Sequence, residues 1–277
     1  MKKRQRKKKG ARLGQHFLVN LQMAKAVAEG ARVMKNDLVL EIGPGKGMLT
    51  RVLLSMGAHV VAVEKDPAMV AVLNETFKKE ISDQRLVVRE DDIRNFLTLS
   101  TIYSPLSTSY KVAANIPYYI TGELLRMFLT AESQPQSIAF LVQKEVAERI
   151  TGYGKRKTDG TMKESILSLS VKTYGTPRYV KTVSRGNFNP QPSVDSAILA
   201  ITDISRKNFS AKGGLEEMFF KVVKAGFAQK RKTLGGNLKR VFGAKAEGAL
   251  LVCGIDAKTR AEDVPLTQWL TLAKNLQ

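Results

Sequence analysis

Between Asp37 and about Val142 the chain alternates short β-rich runs with helical patterns, and few architectures accept that alternation. Leu38-Val39-Leu40-Glu41-Ile42 reads as a buried strand, Met48 to Ser55 as a helix, and His59-Val60-Val61-Ala62-Val63 as a second strand. Pro67 opens the next helix in its first turn, where its missing N–H costs nothing. Arg85 to Val88, Tyr110 to Ala114 and Ser137 to Leu141 read as further strands with helices between them. Such a series folds into a mostly parallel sheet covered on both faces. A late strand, Val194 to Ile201, is expected to close one edge of that sheet.

After Ile201 the pattern changes. Thr202 to Gly214 is polar and contains glycine, as a linker does. Beyond it, Phe220, Val223 and Phe227 repeat at helical spacing, as do Leu234, Leu238, Val241 and Phe242. The expected organisation is a basic, disordered tail over 1–12, an α/β domain over 13–202 and a small all-helical domain over 203–277. A chain of 277 residues has room for that arrangement.

Gly43, Gly45 and Gly47 follow the first buried strand and open a helix, where a doubly wound sheet binds ligands. A glycine-rich turn of this kind can also serve packing alone. Two details favour a ligand. Glu64 ends the second strand, 21 residues after Gly43, where an acid can bond the ribose hydroxyls of an adenosine ligand. The spacing G-x-G-x-G also lacks the later third glycine of the dinucleotide fingerprint, which seats a pyrophosphate on a helix N-terminus. S-adenosylmethionine has no phosphate and does not need that geometry. Asp92, after the third strand, can accept a hydrogen bond from the adenine amine; it can equally cap a helix.

Asn115-Ile116-Pro117-Tyr118 follows the fourth strand. An adenine exocyclic amine is a poor nucleophile because its lone pair is delocalised into the ring. Acceptors for both amine protons favour a pyramidal nitrogen with its lone pair aimed at a methyl donor. The Asn115 side-chain oxygen and the Ile116 carbonyl can supply them, Pro117 can stiffen the turn, and Tyr118 can stack on the base, worth about 1–3 kcal/mol. Phe188-Asn189-Pro190-Gln191-Pro192 precedes the last strand. Phe188 can close the other face of the base or pack in the core.

The formal charge is +20, with 45 Lys and Arg against 25 acids, which points to a polyanionic partner. Eight of the first 12 residues are basic; they suit either a solubilising tail or an RNA contact. A second acid-free run, Met218 to Ala246, carries Lys230, Arg231, Lys232, Lys239 and Arg240, the candidate RNA-binding residues. One cysteine excludes an internal disulfide and, with two histidines, disfavours a zinc site, so no metal is expected. No run is long and apolar enough for a membrane span. The basic start lacks the apolar core of a secretory signal, and a cytoplasmic location is expected.

The ordered set Leu13-Gly14-Gln15-His16-Phe17-Leu18, Glu41-Ile42-Gly43-Pro44-Gly45, Val63-Glu64, Asn115-Ile116-Pro117-Tyr118, Gln143-Lys144-Glu145-Val146 and Phe188 to Ser196 resembles the ribosomal RNA adenine dimethyltransferase family. The resemblance implies a Rossmann-like methyltransferase domain with a helical C-terminal domain, and transfer of two methyls to N6 of a target adenine. It puts His16, Leu18, Gly43, Glu64, Asp92 and Asn115 at the cofactor, and Tyr118 and Phe188 around the base. One branch modifies two adjacent adenines near the 3′ end of small-subunit rRNA during ribosome maturation. The other modifies large-subunit rRNA and confers antibiotic resistance. Gly226 to Leu234 and Gly254-Ile255-Asp256 are more similar to the bacterial small-subunit enzyme, which implies an immature small subunit as partner and a monomeric protein. A non-catalytic assembly factor on the same scaffold would not need an intact Asn115 to Tyr118. Two departures bear on RNA grip: Glu164-Ser165 stands where a Tyr-Gly pair is usual, and Asn237 follows Gly235-Gly236 where Arg-Asn is usual.

Overall fold

The computed structural model describes residues 16–95, 109–154, 162–209 and 213–277. The basic run over 1–12, Leu13-Gly14-Gln15 and residues 96–108, 155–161 and 210–212 lie outside the described residues. The chain divides into two compact units, one of 1–124, 135–144 and 180–200, the other of 125–134, 145–179 and 201–277.

The strands are β1 (Phe17–Leu18), β2 (Leu38–Ile42), β3 (His59–Glu64), β4 (Leu86–Glu90), β5 (Lys111–Asn115), β6 (Ser137–Gln143), β7 (Thr176–Val183), β8 (Phe188–Asn189) and β9 (Ser196–Thr202). Seven form one sheet in the order β4-β3-β2-β5-β6-β9-β7. The pairs β2–β3, β2–β5, β3–β4 and β5–β6 are parallel, in the α/β pattern expected from the alternation. The chain leaves β2 for β3 on one side and returns to β5 on the other. That reversal opens a crevice beyond the carboxyl ends of β2 and β5.

One expectation is corrected. β9 lies between β6 and β7 rather than at the edge, and β7 is the edge strand. Its sequence, Thr-Pro-Arg-Tyr-Val-Lys-Thr-Val, is mostly exposed and carries Pro177, Arg178 and Lys181. Proline and cations are tolerated at an edge because one row of backbone groups faces solvent there, and they hide the strand from pattern reading.

In the first unit, helix α1 (Leu21–Gly30) starts at Asn20, whose side chain accepts the Gln22 and Met23 N–H groups. Helix α2 (Met48–Ser55) follows Gly47 with no side-chain cap, and α3 (Pro67–Thr76) is capped by Asp66. The core gathers Val27, Leu53, Ala62, Leu73, Ala113 and Ile198 around these helices and the sheet. A two-residue antiparallel ladder, Phe17 with Asn189 and Leu18 with Phe188, ties the start of the described chain to the loop before β9.

In the second unit, α7 (Ile166–Lys172) begins at Ser165, which exchanges hydrogen bonds with Ser168 in a capping box. (Helices α4, Lys78–Ser82, α5, Thr121–Thr130, and α6, Lys144–Thr151, precede it.) Half-buried Glu164 accepts from Ser168 Oγ at 2.7 Å and from Lys172 Nζ at 2.6 Å. The unusual Glu164-Ser165 pair therefore builds a helix start.

Helices α8 (Leu215–Gly226), α9 (Leu234–Phe242), α10 (Lys245–Val252) and α11 (Leu266–Leu276) complete the unit. On α8 the buried face is Leu215, Phe219, Val222 and Val223, one residue off the expected Phe220–Val223–Phe227 stripe; on α9, Val241 is exposed. Trp269 is fully buried, stacks on Phe227 and donates to the Val264 carbonyl at 3.1 Å. A Cβ on Gly226 would come within 2.4 Å of that indole, so only glycine lets α8 end against it. Asn237, the second departure, is buried and donates to the Gly226 and Gln229 carbonyls, pinning the turn between α8 and α9. Among the described residues no helix is long and apolar enough to cross a membrane.

Candidate active site

A cleft of about 1000 Å³, counting its open mouth, lies at the carboxyl ends of β2, β3, β4 and β5. Its wall includes His16, Gly43, Gly45, Glu64, Asp92, Asn115, Ile116, Pro117 and Tyr118. Residues 102 positions apart are thus brought to one place, Gly43 to Tyr118 by the parallel sheet and His16 by the segment that leads into β1. Leu18 lines a smaller adjoining cavity of about 290 Å³ with Glu41, Gly43 and Asn115. Phe188 lines neither cavity; it is buried in the core, 2% exposed, opposite Leu18 in the short ladder.

The glycine loop has three separate reasons for its composition. All three glycines have positive φ. A Cβ on Gly45 would lie 2.6 Å from the Phe17 ring, and one on Gly47 would lie 2.4 Å from Phe77. At Gly43 the nearest atom is 4.0 Å away, the Asn115 carbonyl oxygen, so bare backbone faces the cleft there. Gly45 and Gly47 serve packing; Gly43 leaves room for a ligand.

Glu64 is 4% exposed, yet its carboxylate is well held. Oε1 accepts the N–H groups of Lys65 and Asp66 at 2.9 Å, and Oε2 accepts that of Gly45 at 3.0 Å. A carboxylate has about four acceptor sites, so room remains for a hydroxyl donor from the cleft. Asp92 shows the geometry of a cap and also stands in the cleft wall. It accepts the Arg94 backbone N–H at 3.1 Å as a cap does, and it lines the cleft. Its carboxylate also takes Arg94 Nε at 2.9 Å, Arg94 Nη2 at 2.6 Å and Lys65 Nζ at 2.8 Å. Chiefly through the Arg94 bonds, Asp92 is held well below the usual carboxylate range.

Asn115 is oriented by the His16 backbone in the cleft wall. Its Nδ2 donates to the His16 carbonyl at 2.8 Å, and the amide oxygen makes no hydrogen bond among the described residues. The His16 ring bonds the Pro190 carbonyl through Nδ1 at 2.8 Å and lies over Tyr118, with centroids 6.2 Å apart. The Tyr118 hydroxyl meets Ser196 Oγ at 2.7 Å. Burial pushes that phenol upward, so it is neutral near pH 7. Sequence reading missed Ser196, Lys65, Arg94 and Tyr119 as parts of this region. Ser196 ends the Phe188 to Ser196 motif, Lys65 and Tyr119 each adjoin one, and Arg94 carried no signal.

Glu41 is the least comfortable group nearby. It is 1% exposed, and Oε2 has no hydrogen-bond partner among the described residues. Burial pushes its carboxyl up to about 8, opposed by Thr50 and reinforced by the charge of Glu64. The five candidate RNA-binding cations belong to the second unit. Lys230, Arg231 and Lys232 occupy the turn between α8 and α9, and Lys239 and Arg240 lie on α9, all five exposed. Lys239 pairs with Glu247 at 2.8 Å.

A model of the family described as "Ribosomal RNA adenine dimethylase" matches residues 6–277. The chain is 36% identical to the ribosomal RNA small subunit methyltransferase A of Lactobacillus johnsonii, over 96% of this chain and 90% of that one. It is 38% identical to the protein of the same name from Dehalococcoides mccartyi, over 94% and 86%. Among solved structures it is similar to the 23S rRNA methyltransferase ErmE, with TM-score 0.71 and 27% identity over 94% of this chain and 99% of that one. A dimethyladenosine transferase from Plasmodium falciparum has the same fold, with TM-score 0.69 at 22% identity over 93% and 96%. The chain belongs to the ribosomal RNA adenine dimethylase family.

Proposed function

We propose that this protein transfers methyl groups from S-adenosylmethionine to N6 of two adjacent adenines near the 3′ end of small-subunit rRNA. The observation that carries the reading is Asn115. Its amide donates to the His16 carbonyl, which leaves its oxygen to accept from an amine at the cleft. Relatives at 36% and 38% identity carry a small-subunit name, against 27% for the large-subunit methyltransferase ErmE, which supports the small subunit as substrate.

The residues suit the cofactor. Gly43 offers bare backbone, Glu64 a held carboxylate, and Asp92 a carboxylate at the cleft wall that can take an amine in place of the exposed Lys65 ammonium. S-adenosylmethionine, when bound, supplies an electrophilic methyl on a sulfonium. In our reading His16, Leu18, Gly43, Gly45, Glu64, Asp92 and Asn115 hold it. Asn115 Oδ1 and the Ile116 carbonyl accept the two amine protons of the target adenine, and Pro117 stiffens their turn. Tyr118 stacks on the base, its ring fixed by Ser196. Phe188 serves the site through the ladder with Leu18, which holds the His16 segment in place.

As the new N–C bond forms and the methyl–sulfur bond breaks, the methylated amine becomes acidic and gives its proton to solvent. No side-chain base is needed, so the residues act by positioning and electrostatics. Lys230, Arg231, Lys232, Lys239 and Arg240, in the helical region 203–277, contact RNA phosphates. The protein acts as a cytoplasmic monomer on the immature small subunit. The test offers labelled S-adenosylmethionine with unmodified small or large subunits and maps the methylated nucleotides. Label on adjacent small-subunit adenines is expected; label on large subunits alone refutes the assignment.

A further inference from the structure

We propose that Tyr119 is a stacking platform for the nucleotide that flanks the target adenine, with the Arg94 guanidinium bordering it. The inference rests on the proposed RNA substrate and extends it to a base outside the cleft.

Tyr118 and Tyr119 are consecutive in one 3₁₀ turn, Tyr118–Ile120. With about three residues per turn, successive side chains diverge by roughly 120°. Tyr118 is anchored by its hydroxyl to Ser196. Tyr119 is 79% exposed, the most exposed aromatic ring among the described residues, yet it belongs to the cleft's rim. A ring that covered the cofactor would face inward. This one presents its face to solvent beside the place where the target base enters. Single-stranded RNA recognition uses such rings, because a base whose neighbour is drawn into a pocket loses its stacking partner.

The surrounding charges decide what part of the nucleotide is met there. Arg94 lines the same cleft, within electrostatic reach of Tyr119 and Glu123. Its guanidinium is fixed by two side-chain bonds to Asp92. Asp92 and Glu123 balance its charge, so the rim is poorly suited to grip a phosphate. A planar, neutralised guanidinium beside an exposed phenol suits the face and edge of a base. The phosphate contacts are left to the lysines and arginines from Lys230 to Arg240.

The experiment uses the full chain and an RNA hairpin whose loop holds two adjacent adenines, the second replaced by 2-aminopurine. Stacking on Tyr119 should quench the fluorescence of the wild-type complex. Tyr119→Ala should remove that quenching and weaken RNA binding about 5- to 150-fold, the equivalent of one lost base stack. Tyr119→Phe should retain both. Because no charge is lost, the slope of log affinity against log salt should be the same for all three proteins. Binding of S-adenosylmethionine should be unchanged in each, which also reports that the variants are folded. Unchanged RNA affinity in Tyr119→Ala, or quenching that survives it, overturns the proposal. So does a loss of cofactor affinity in step with RNA affinity, which would make Tyr119 a cover for the cofactor. Quenching is read without methyl transfer, so failure of the proposed activity leaves a distinct signature: an intact stack with no label in rRNA.

Discussion

Replacing Glu41 by glutamine should stabilise the protein, and the gain should depend on pH. The carboxyl is pushed up to about 8 in the folded chain, against an ordinary value of 4.5. Between those values the folded state keeps a proton that the unfolded chain gives up. Stability therefore falls as pH rises through the window, by about 1.4 kcal/mol per pH unit, and is flat outside it. At pH 7 the penalty is about 3 kcal/mol. Glutamine keeps the shape of the protonated acid and has no proton to lose, so Glu41→Gln removes the penalty. Urea unfolding of both proteins at pH 5, 6, 7 and 8, followed by circular dichroism, reads the difference. Fluorescence of the single tryptophan is a poor probe, because Trp269 belongs to the other unit. All remaining titrations are shared by the two proteins and cancel. A small difference at pH 5 growing to about 3 kcal/mol at pH 7 is expected. A difference that ignores pH, or a variant that loses ground as pH rises, would refute the account of Glu41 as a buried acid kept neutral.

Asn115→Ala should lower kcat about 10²- to 10³-fold, the usual cost of one preorganised polar group, while RNA affinity stays near wild type; retained turnover in a single-turnover assay would remove Asn115 from the acceptor role. Ser196→Ala strips the Tyr118 hydroxyl of its partner, worth about 1 kcal/mol, so kcat should fall several-fold with cofactor affinity unchanged by calorimetry. Equal kcat would show that the tyrosine is positioned by packing alone. Replacing Lys230, Arg231 and Lys232 together by alanine should reduce the salt slope of RNA binding by about 2 to 3, and an unchanged slope would exclude them from phosphate contact.

The strands that carry the site were legible because they are buried on both faces, so Leu38 to Ile42, interrupted only by Glu41, and Val60 to Val63 read as apolar runs. β7 was not legible, since an edge strand with exposed threonine, arginine and lysine has no such run. Adjacent Phe219 and Phe220 offered two helical registers at equal spacing, and only packing chose Phe219 as the fully buried one. Within the site, Gly43, Glu64 and Asn115 were legible because each ends a strand at the crevice. Arg94 and Ser196 were not. Their roles come from partners brought near by the fold, Arg94 through Asp92 and Ser196 through a tyrosine 78 positions away. The ladder that pairs Leu18 with Phe188 is of the same kind. Two residues per strand leave no periodicity to read.

Net charge misleads if it is applied uniformly to this molecule. A chain of +20 would seem a poor host for a cation, yet the cleft gathers Glu64, Asp91 and Asp92, and the acid beside it, Glu41, is kept neutral by burial. These acids follow from the fold, because each stands in or just beyond β2, β3 or β4, where the parallel strands converge. The cations from Lys230 to Arg240 lie on a turn and a helix that the sheet does not constrain. A sulfonium cofactor needs local negative charge held by backbone donors, as Glu64 is held. A polyanionic substrate needs exposed positive charge on surfaces that water and salt can reach. Separating the two along the chain gives one protein local charge of either sign whatever its net charge.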